Sequence, residues 1–82
     1  MKVLLQGHES AKRVELLLSL TRIESENQIK ALKLHLTNGA SEAFAASTYG
    51  VNKSNFSRAL KTLNDTAQIV EKIKDIDSIV IS

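Results

Sequence analysis

Six side chains that can neutralise phosphates or hydrogen-bond to bases lie close together in the middle of this 82-residue chain. Phe56, Leu60 and Leu63 recur among and after them at helical spacing, which turns the six polar side chains toward solvent. Lysine and arginine suit DNA phosphates, whereas serine and asparagine can bond to bases and sugars. We therefore predict a DNA-facing helix over residues 53–63 that presents Lys53, Ser54, Asn55, Ser57, Arg58 and Lys61.

The residues before this helix complete a helix-turn-helix. Ser41 can cap a first helix over residues 41–48, and Asn52 can cap the second helix. Between them, Gly50 can adopt the left-handed conformation that ends a helix without Cβ strain. Ala46 lies four residues before Gly50 and is small enough to let the two helices pack closely.

Apolar residues at three- and four-residue spacing predict three further helices, over residues 10–20, 25–37 and 65–75. Ser10 is the expected cap of the first, and Ser25 begins a Ser-x-x-Gln capping box. The residues leave open whether helix 53–63 continues into helix 65–75. We favour a break, because Asn64-Asp65-Thr66 can cap a new helix.

The expected fold class is all-α: a small helical bundle containing the helix-turn-helix, in a single domain over residues 1–82. The two ends have weaker patterns. Val3-Leu4-Leu5 is a short apolar run that could be a strand, an arm on a partner or disordered. The β-branched tail over residues 78–82 either adds a strand or packs on a partner.

The leucine-rich stripe of the first helix is broader than one small partner helix requires. Part of it is therefore a candidate surface for self-association, and packing within the chain's own core is the equal alternative. A chain of 9.0 kDa buries a limited core, which also favours self-association. The candidate oligomerisation residues are Leu16, Leu17, Leu18 and Leu20.

The net charge of +2 is unevenly distributed along the chain. Residues 1–27 balance to zero, and residues 65–82 carry two basic and four acidic groups. Residues 28–64 carry five basic groups against Glu42 alone, and these include Lys30 and Lys33. The positive field is thus centred on the predicted helix-turn-helix, and we expect Lys30 and Lys33 to assist DNA binding.

Several functional classes are disfavoured. The chain has no cysteine, and His8 and His35 are isolated, so we predict no metal site and a surface or partly packed position for His35. The sequence has no nucleophile elbow, no Gly-rich phosphate loop and no paired carboxylates. We therefore expect no enzyme activity, no cofactor and no small-molecule substrate. The sequence has no membrane-length apolar run and no signal-peptide pattern, so we expect a cytoplasmic, nucleoid-associated protein.

Several short motifs follow one another in a characteristic order from about Leu17 to Ala67. The leucine-rich helix leads into Thr21-Arg22-Ile23-Glu24-Ser25, and the approach Leu36-Thr37-Asn38-Gly39-Ala40-Ser41 comes next. The order continues through Asn52, Phe56-Ser57, Leu60 and Leu63-Asn64. In these motifs and their spacing the chain resembles the PapB-like regulators of fimbrial adhesin operons.

This resemblance implies an all-helical cytoplasmic transcription factor that binds A/T-rich double-stranded DNA upstream of adhesin genes. It further implies dimers or larger homo-oligomers along repeated sites, activating or repressing according to occupancy. The helix from Lys53 to Leu63 would face DNA, and the leucine-rich helix would contribute to self-association. The chain departs from the family in having Glu42 where a basic residue is usual, a shorter N-terminal extension and an acidic tail.

An alternative function is a helical protein-interaction module, such as an adaptor or an antitoxin-like partner. Its apolar stripes and ends would dock on a second protein. Binding of that kind responds little to ionic strength, whereas DNA binding falls steeply with salt.

Overall fold

The computed structural model describes Leu4 and residues 6–81, with their side chains as far as Ile76. Within this part of the chain there is no strand, which confirms the all-α prediction. The four helices, in chain order, are α1 (Ala11–Ser19), α2 (Glu26–Asn38), α3 (Glu42–Thr48) and α4 (Lys53–Ile81).

Three serines begin helices, as the sequence predicted. Each serine hydroxyl accepts a hydrogen bond from the backbone N–H three residues later, which pairs a donor that the helix itself leaves free. These pairs are Ser10 with Arg13, Ser25 with Gln28, and Ser41 with Phe44. At the other end of α2, Gly39 adopts a left-handed φ of 82° and ends the helix.

The predicted break at Asn64 is wrong, because α4 is one helix of 29 residues. The side chains that could have capped a new helix have other partners. The Oδ1 atom of Asn64 accepts the backbone N–H of Leu4 at 3.1 Å, and the Thr66 hydroxyl donates to the Thr62 carbonyl at 2.9 Å. Leu63 and Ala67 are buried on either side of Asn64, so packing favours a continuous helix.

The strand suggested for residues 78–82 is also wrong where the structure describes it, since α4 is helical through Ile81. Ser82 lies outside the described residues. β-branched residues have only a weak preference for strands, and the helix that precedes them extends through the tail.

The core lies where α2 packs against the other three helices. Its largest fully buried side chains come from α1, α2 and α4, whereas α3 contributes small residues that allow close approach. The buried apolar residues are Leu4, Val14, Leu17, Leu18, Ala31, Leu32, Leu36, Ala45, Ala46, Phe56, Ala59, Leu63 and Ala67.

The segment before α1 lies against the C-terminal end of α2 in the same chain. The Gly7 N–H donates to the His35 carbonyl at 3.1 Å, and the Glu9 N–H donates to the Leu36 carbonyl at 3.0 Å. Leu4 is buried in the core. Residues 1–3 and Leu5, which belong to the apolar run discussed above, lie outside the described residues.

Candidate nucleic-acid interface

A four-residue turn, Tyr49 to Asn52, joins α3 to α4 as the sequence predicted. The Val51 N–H donates to the Ala46 carbonyl at 2.8 Å, and the Gly50 N–H donates to the Ser47 carbonyl at 3.2 Å. With Gly50 at a φ of 66°, these two bonds form a Schellman motif. The end of α3 is therefore closed by its own backbone, and the direction of α4 is fixed.

Asn52 begins α4. Its Oδ1 accepts the Ser54 N–H at 2.8 Å, while its backbone carbonyl accepts the Phe56 N–H at 2.9 Å. These bonds set the first turn of the helix, so the side chains at positions 53 to 55 project from a defined backbone.

The inner face of α4, the second helix of the motif, packs against α2 and α3. Phe56 is fully buried, and its ring meets the His35 ring edge-on at 5.8 Å between centroids. His35 had been predicted at the surface or partly packed, but it is buried, with Nδ1 2.7 Å from the Ala40 carbonyl oxygen. Ala46 is buried and leaves room for α4, as its small size predicted.

All six predicted DNA-facing residues of α4 are exposed. They occupy its N-terminal two and a half turns, and four of the six line grooves on two flanks of the helix. Asn55 and Arg58 line an open groove beside the loop between α1 and α2. Ser57 and Lys61 line a second groove, on the side of Gln6 and Glu42.

The charges on this surface differ in their partners. Among the described residues, Lys53 and Arg58 form no ion pair. Lys61 lies 3.5 Å from the Asp65 carboxylate, but its side chain is 80% exposed and the pair is weak in water. Asp65 closes the basic surface on its C-terminal side, since a carboxylate repels phosphate.

Lys30 and Lys33 have partners away from α4. Lys30 forms an exposed pair with Glu26 at 3.7 Å. Lys33 contacts Glu15 of α1 at 2.9 Å, and this hydrogen bond and charge lower the pKa of the Glu15 carboxyl. Lys33 therefore lies on the flank of α2 that faces α1, and its charge links two helices.

The structure adds Arg22 to the candidate site. This residue lies in the loop between α1 and α2, yet it lines the same groove as Asn55 and Arg58 of α4. Thirty-six positions separate Arg22 from Arg58 in the chain, so helical periodicity could not have connected them. The available signal was a charged residue in a predicted interhelical loop.

The predicted oligomerisation residues separate into two pairs. Leu17 and Leu18 are buried in the core of this chain, whereas Leu16 and Leu20 are 60% and 65% exposed. Beside Leu16 and Leu20, Val70 of α4 lines the same shallow groove. We use the term apolar face for the large apolar side chains that α1 and α4 leave exposed among the described residues, which are Leu16, Leu20, Ile69, Ile73 and Ile76.

The described residues include neither a cluster of metal-binding side chains nor a helix of membrane-spanning character. No group of three or more His, Cys, Asp or Glu side chains is placed to hold a metal ion. None of the helices in this part of the chain combines the length and apolar character needed to cross a membrane.

The described part of the chain is thus an all-helical body in which a short turn joins α3 to a helix with a polar, basic outer face, an arrangement typical of helix-turn-helix regulators. The family model PapB, described as adhesin biosynthesis transcription regulatory protein, matches residues 1–76. The chain therefore belongs to the PapB family and is a transcription regulator of adhesin biosynthesis, a class distinct from enzymes.

A solved structure supports this assignment. The crystal structure of Escherichia coli FocB at 1.4 Å resolution is similar to this chain, with a TM-score of 0.81 and 27% sequence identity. The similarity covers 87% of this chain and 81% of the FocB chain. No curated protein sequence matches this chain.

Proposed function

We propose that this protein regulates a fimbrial adhesin operon by binding repeated A/T-rich sites on double-stranded DNA as a dimer or larger homo-oligomer. It would act in the cytoplasm at the nucleoid, without a cofactor or a small-molecule ligand. The N-terminal part of α4 faces DNA, where Lys53, Arg58 and Lys61 neutralise phosphates. Ser54, Asn55 and Ser57 are the candidates for hydrogen bonds to bases or sugars.

The observation that carries this proposal is that the polar and basic side chains on the outer face of α4 are exposed and that two of the cations are unpaired within the described part of the chain. Six polar or basic side chains are exposed on a helix whose start is capped and whose inner face is buried. Two of the three cations, Lys53 and Arg58, have no acidic partner among the described residues. A preorganised surface with unpaired cations can bind phosphates without first breaking internal ion pairs.

Lys30 and Lys33 would assist DNA binding only indirectly. Both are paired with glutamates, and Lys33 connects α1 to α2. We propose that they add to the positive field of the domain and do not contact phosphates directly.

Self-association would use the apolar face. Ile69, Ile73 and Ile76 follow a three- and four-residue spacing along α4, as the interface residues of paired helices do. Leu16 and Leu20 extend the face onto α1, and the second copy of the chain is its proposed partner. Leu17 and Leu18 are buried in the core of their own chain, so they are not available for contacts between copies.

The first experiment measures fluorescence anisotropy of labelled DNA from upstream of the chain's own operon, against a shuffled duplex, in a salt series. Roughly three phosphates neutralised per subunit should give a slope of log K against log salt of about −3 per subunit. We expect tighter binding to the native duplex. Absence of binding even at low salt would overturn the proposal.

Arg58→Ala should weaken DNA binding while leaving helicity unchanged, because Arg58 is exposed and unpaired and its loss removes a phosphate contact. Lys72→Ala is the matched control: Lys72 is also an exposed cation of α4 without an ion pair among the described residues, but it lies beyond the proposed surface. We expect a loss of roughly tenfold for Arg58→Ala and little change for Lys72→Ala. If the two variants bind DNA with equal affinity, Arg58 does not contact the DNA.

The exposed apolar face also supports a second candidate, a helical protein-interaction module whose partner is a different protein. The salt series separates the two functions, since apolar docking barely responds to ionic strength. A partner complex that forms equally well at low and high salt, together with no DNA binding, would favour the second candidate.

A further inference from the structure

The loop between α1 and α2 forms one wall of the groove beside the DNA-facing part of α4. Arg22, Glu24 and Ser25 line the groove from the loop, and Gln28 continues this wall into the first turn of α2. The opposite wall is α4, with Asn55, Ala59, Thr62 and Arg58. Ile23 and Ala59 are the two apolar residues of the lining, and the other seven are polar or charged. The groove opens next to the proposed DNA surface.

The backbone on both sides of Arg22 is held in place. The Thr21 N–H and hydroxyl both donate to the Leu18 carbonyl, at 3.0 and 2.8 Å, and the Thr21 hydroxyl oxygen accepts the Ile23 N–H at 3.2 Å. The Ile23 side chain packs against the core. Arg22 is thus an exposed side chain on an anchored loop, and little backbone entropy is lost when it binds a ligand.

The charges of the groove favour an anion. Arg22 and Arg58 approach it from opposite walls, and neither forms an ion pair among the described residues. Glu24 is the one acidic residue that lines the groove, so its net charge is positive. A guanidinium offers several N–H donors in a planar fork that fits phosphate oxygens.

We propose that this groove seats a phosphate of the DNA strand next to α4, held between Arg22 and Arg58. The inference rests on the proposed function and adds a contact from a second element of the fold. In homeodomains, the loop between the first two helices contacts the DNA backbone in a comparable way while a later helix reads the bases. Two backbone contacts from separate elements fix the orientation of α4 on the duplex.

The test compares Arg22→Ala with wild type and with Lys72→Ala on the native and shuffled duplexes over a salt series. Arg22→Ala should weaken binding to both duplexes by the same factor, roughly three- to tenfold, and reduce the salt slope by at most about 0.9, because Arg58 still contacts the shared phosphate. Lys72→Ala should change neither quantity appreciably. Circular dichroism checks that both variants keep the helicity of the wild type.

Glu24→Gln tests the same groove through an expected increase in DNA affinity. Removal of the single carboxylate from the groove should strengthen binding roughly twofold or more and leave the preference for the native duplex unchanged. In the double variant Arg22→Ala, Arg58→Ala, the losses should be less than additive, because two residues that bind one phosphate share a partner.

The outcomes distinguish this inference from the proposed function. If wild type binds DNA and Arg58→Ala weakens it, but Arg22→Ala binds as wild type does, the phosphate seat is wrong and the function stands. If Arg22→Ala loses affinity for the native duplex alone, Arg22 contacts a base and the phosphate seat is again wrong. Absence of DNA binding by the wild type would overturn both.

Discussion

Two glycines with positive φ differ in what surrounds them. Gly50 has a φ of 66° and open space where a Cβ would lie. Gly7 has a φ of 72°, and a Cβ there would be 2.9 Å from the Cα of Gly39. The first glycine is required only for backbone conformation, whereas the second also allows two backbone segments to touch.

Gly50→Ala should therefore destabilise the fold by about 1 kcal/mol, the strain of a left-handed alanine. Gly7→Ala should cost more, because the backbone of Gly7 or Gly39 must also move, and the hydrogen bond from Gly7 to the His35 carbonyl would be strained. Urea unfolding followed by circular dichroism measures both. A Gly7→Ala variant as stable as Gly50→Ala would contradict the close contact.

At the scale of elements, side-chain ion pairs connect α1 to its neighbours. Arg13 contacts Glu71 of α4 at 3.0 Å, and Lys33 of α2 contacts Glu15 at 2.9 Å. The hydrogen bond from Arg13 and the nearby charge of Lys74 lower the pKa of the Glu71 carboxyl, as Lys33 lowers that of Glu15. Both contacts join α1 to a neighbouring helix through an ionised carboxylate, so each contact is weakened when its glutamate is protonated.

These lowered pKa values predict that the fold loses stability in acid. Each carboxyl contributes stability that is fully present above its ordinary pKa of 4.5 and is lost as pH falls below that value through the lower pKa of the folded state. The melting temperature of wild type should therefore fall more between pH 6 and pH 3 than that of Glu15→Gln, Glu71→Gln.

Glu24→Gln is the control for this measurement, because Glu24 is an exposed glutamate that forms no ion pair among the described residues. It should retain the acid sensitivity of wild type. Parallel pH profiles for wild type and the Glu15, Glu71 double variant would show that the two pairs do not contribute.

At the scale of the whole molecule, the continuous α4 joins the two proposed binding surfaces. Arg58 and Ile76 are eighteen residues apart, which is five helical turns, so they lie along the same line of the helix at roughly 27 Å. A second copy on the apolar face would therefore lie on the side of α4 that carries Arg58, a residue of the proposed DNA surface. This arrangement suits adjacent copies bound along one duplex.

Leu16→Lys and Ile73→Lys should each shift the protein toward monomers, because a lysine placed on the apolar face would be desolvated against a second copy. Light scattering gives the mass. Phe44→Lys is the control, since Phe44 of α3 is 61% exposed but lies outside the apolar face. A mass unaltered by both face variants would contradict self-association through this surface.

The sequence by itself determined the local structure of this protein. Helix starts at Ser10, Ser25 and Ser41 and the turn at Gly50 depend on interactions within a few residues, so short-range chemistry identified them. Helical periodicity likewise placed Phe56 inside and the polar residues of α4 outside. The resemblance to PapB-like regulators rested on the same segments, and the family match confirms it.

The tertiary structure decided the features that depend on distant residues. Asn64 could have capped a helix, but its amide binds the backbone of Leu4, sixty positions away, and α4 continues. Leu16 and Leu17 look alike in the sequence, yet only packing shows that one is exposed and the other buried. Arg22 joined the candidate site because the fold brings its loop beside Arg58, a proximity that no local pattern encodes.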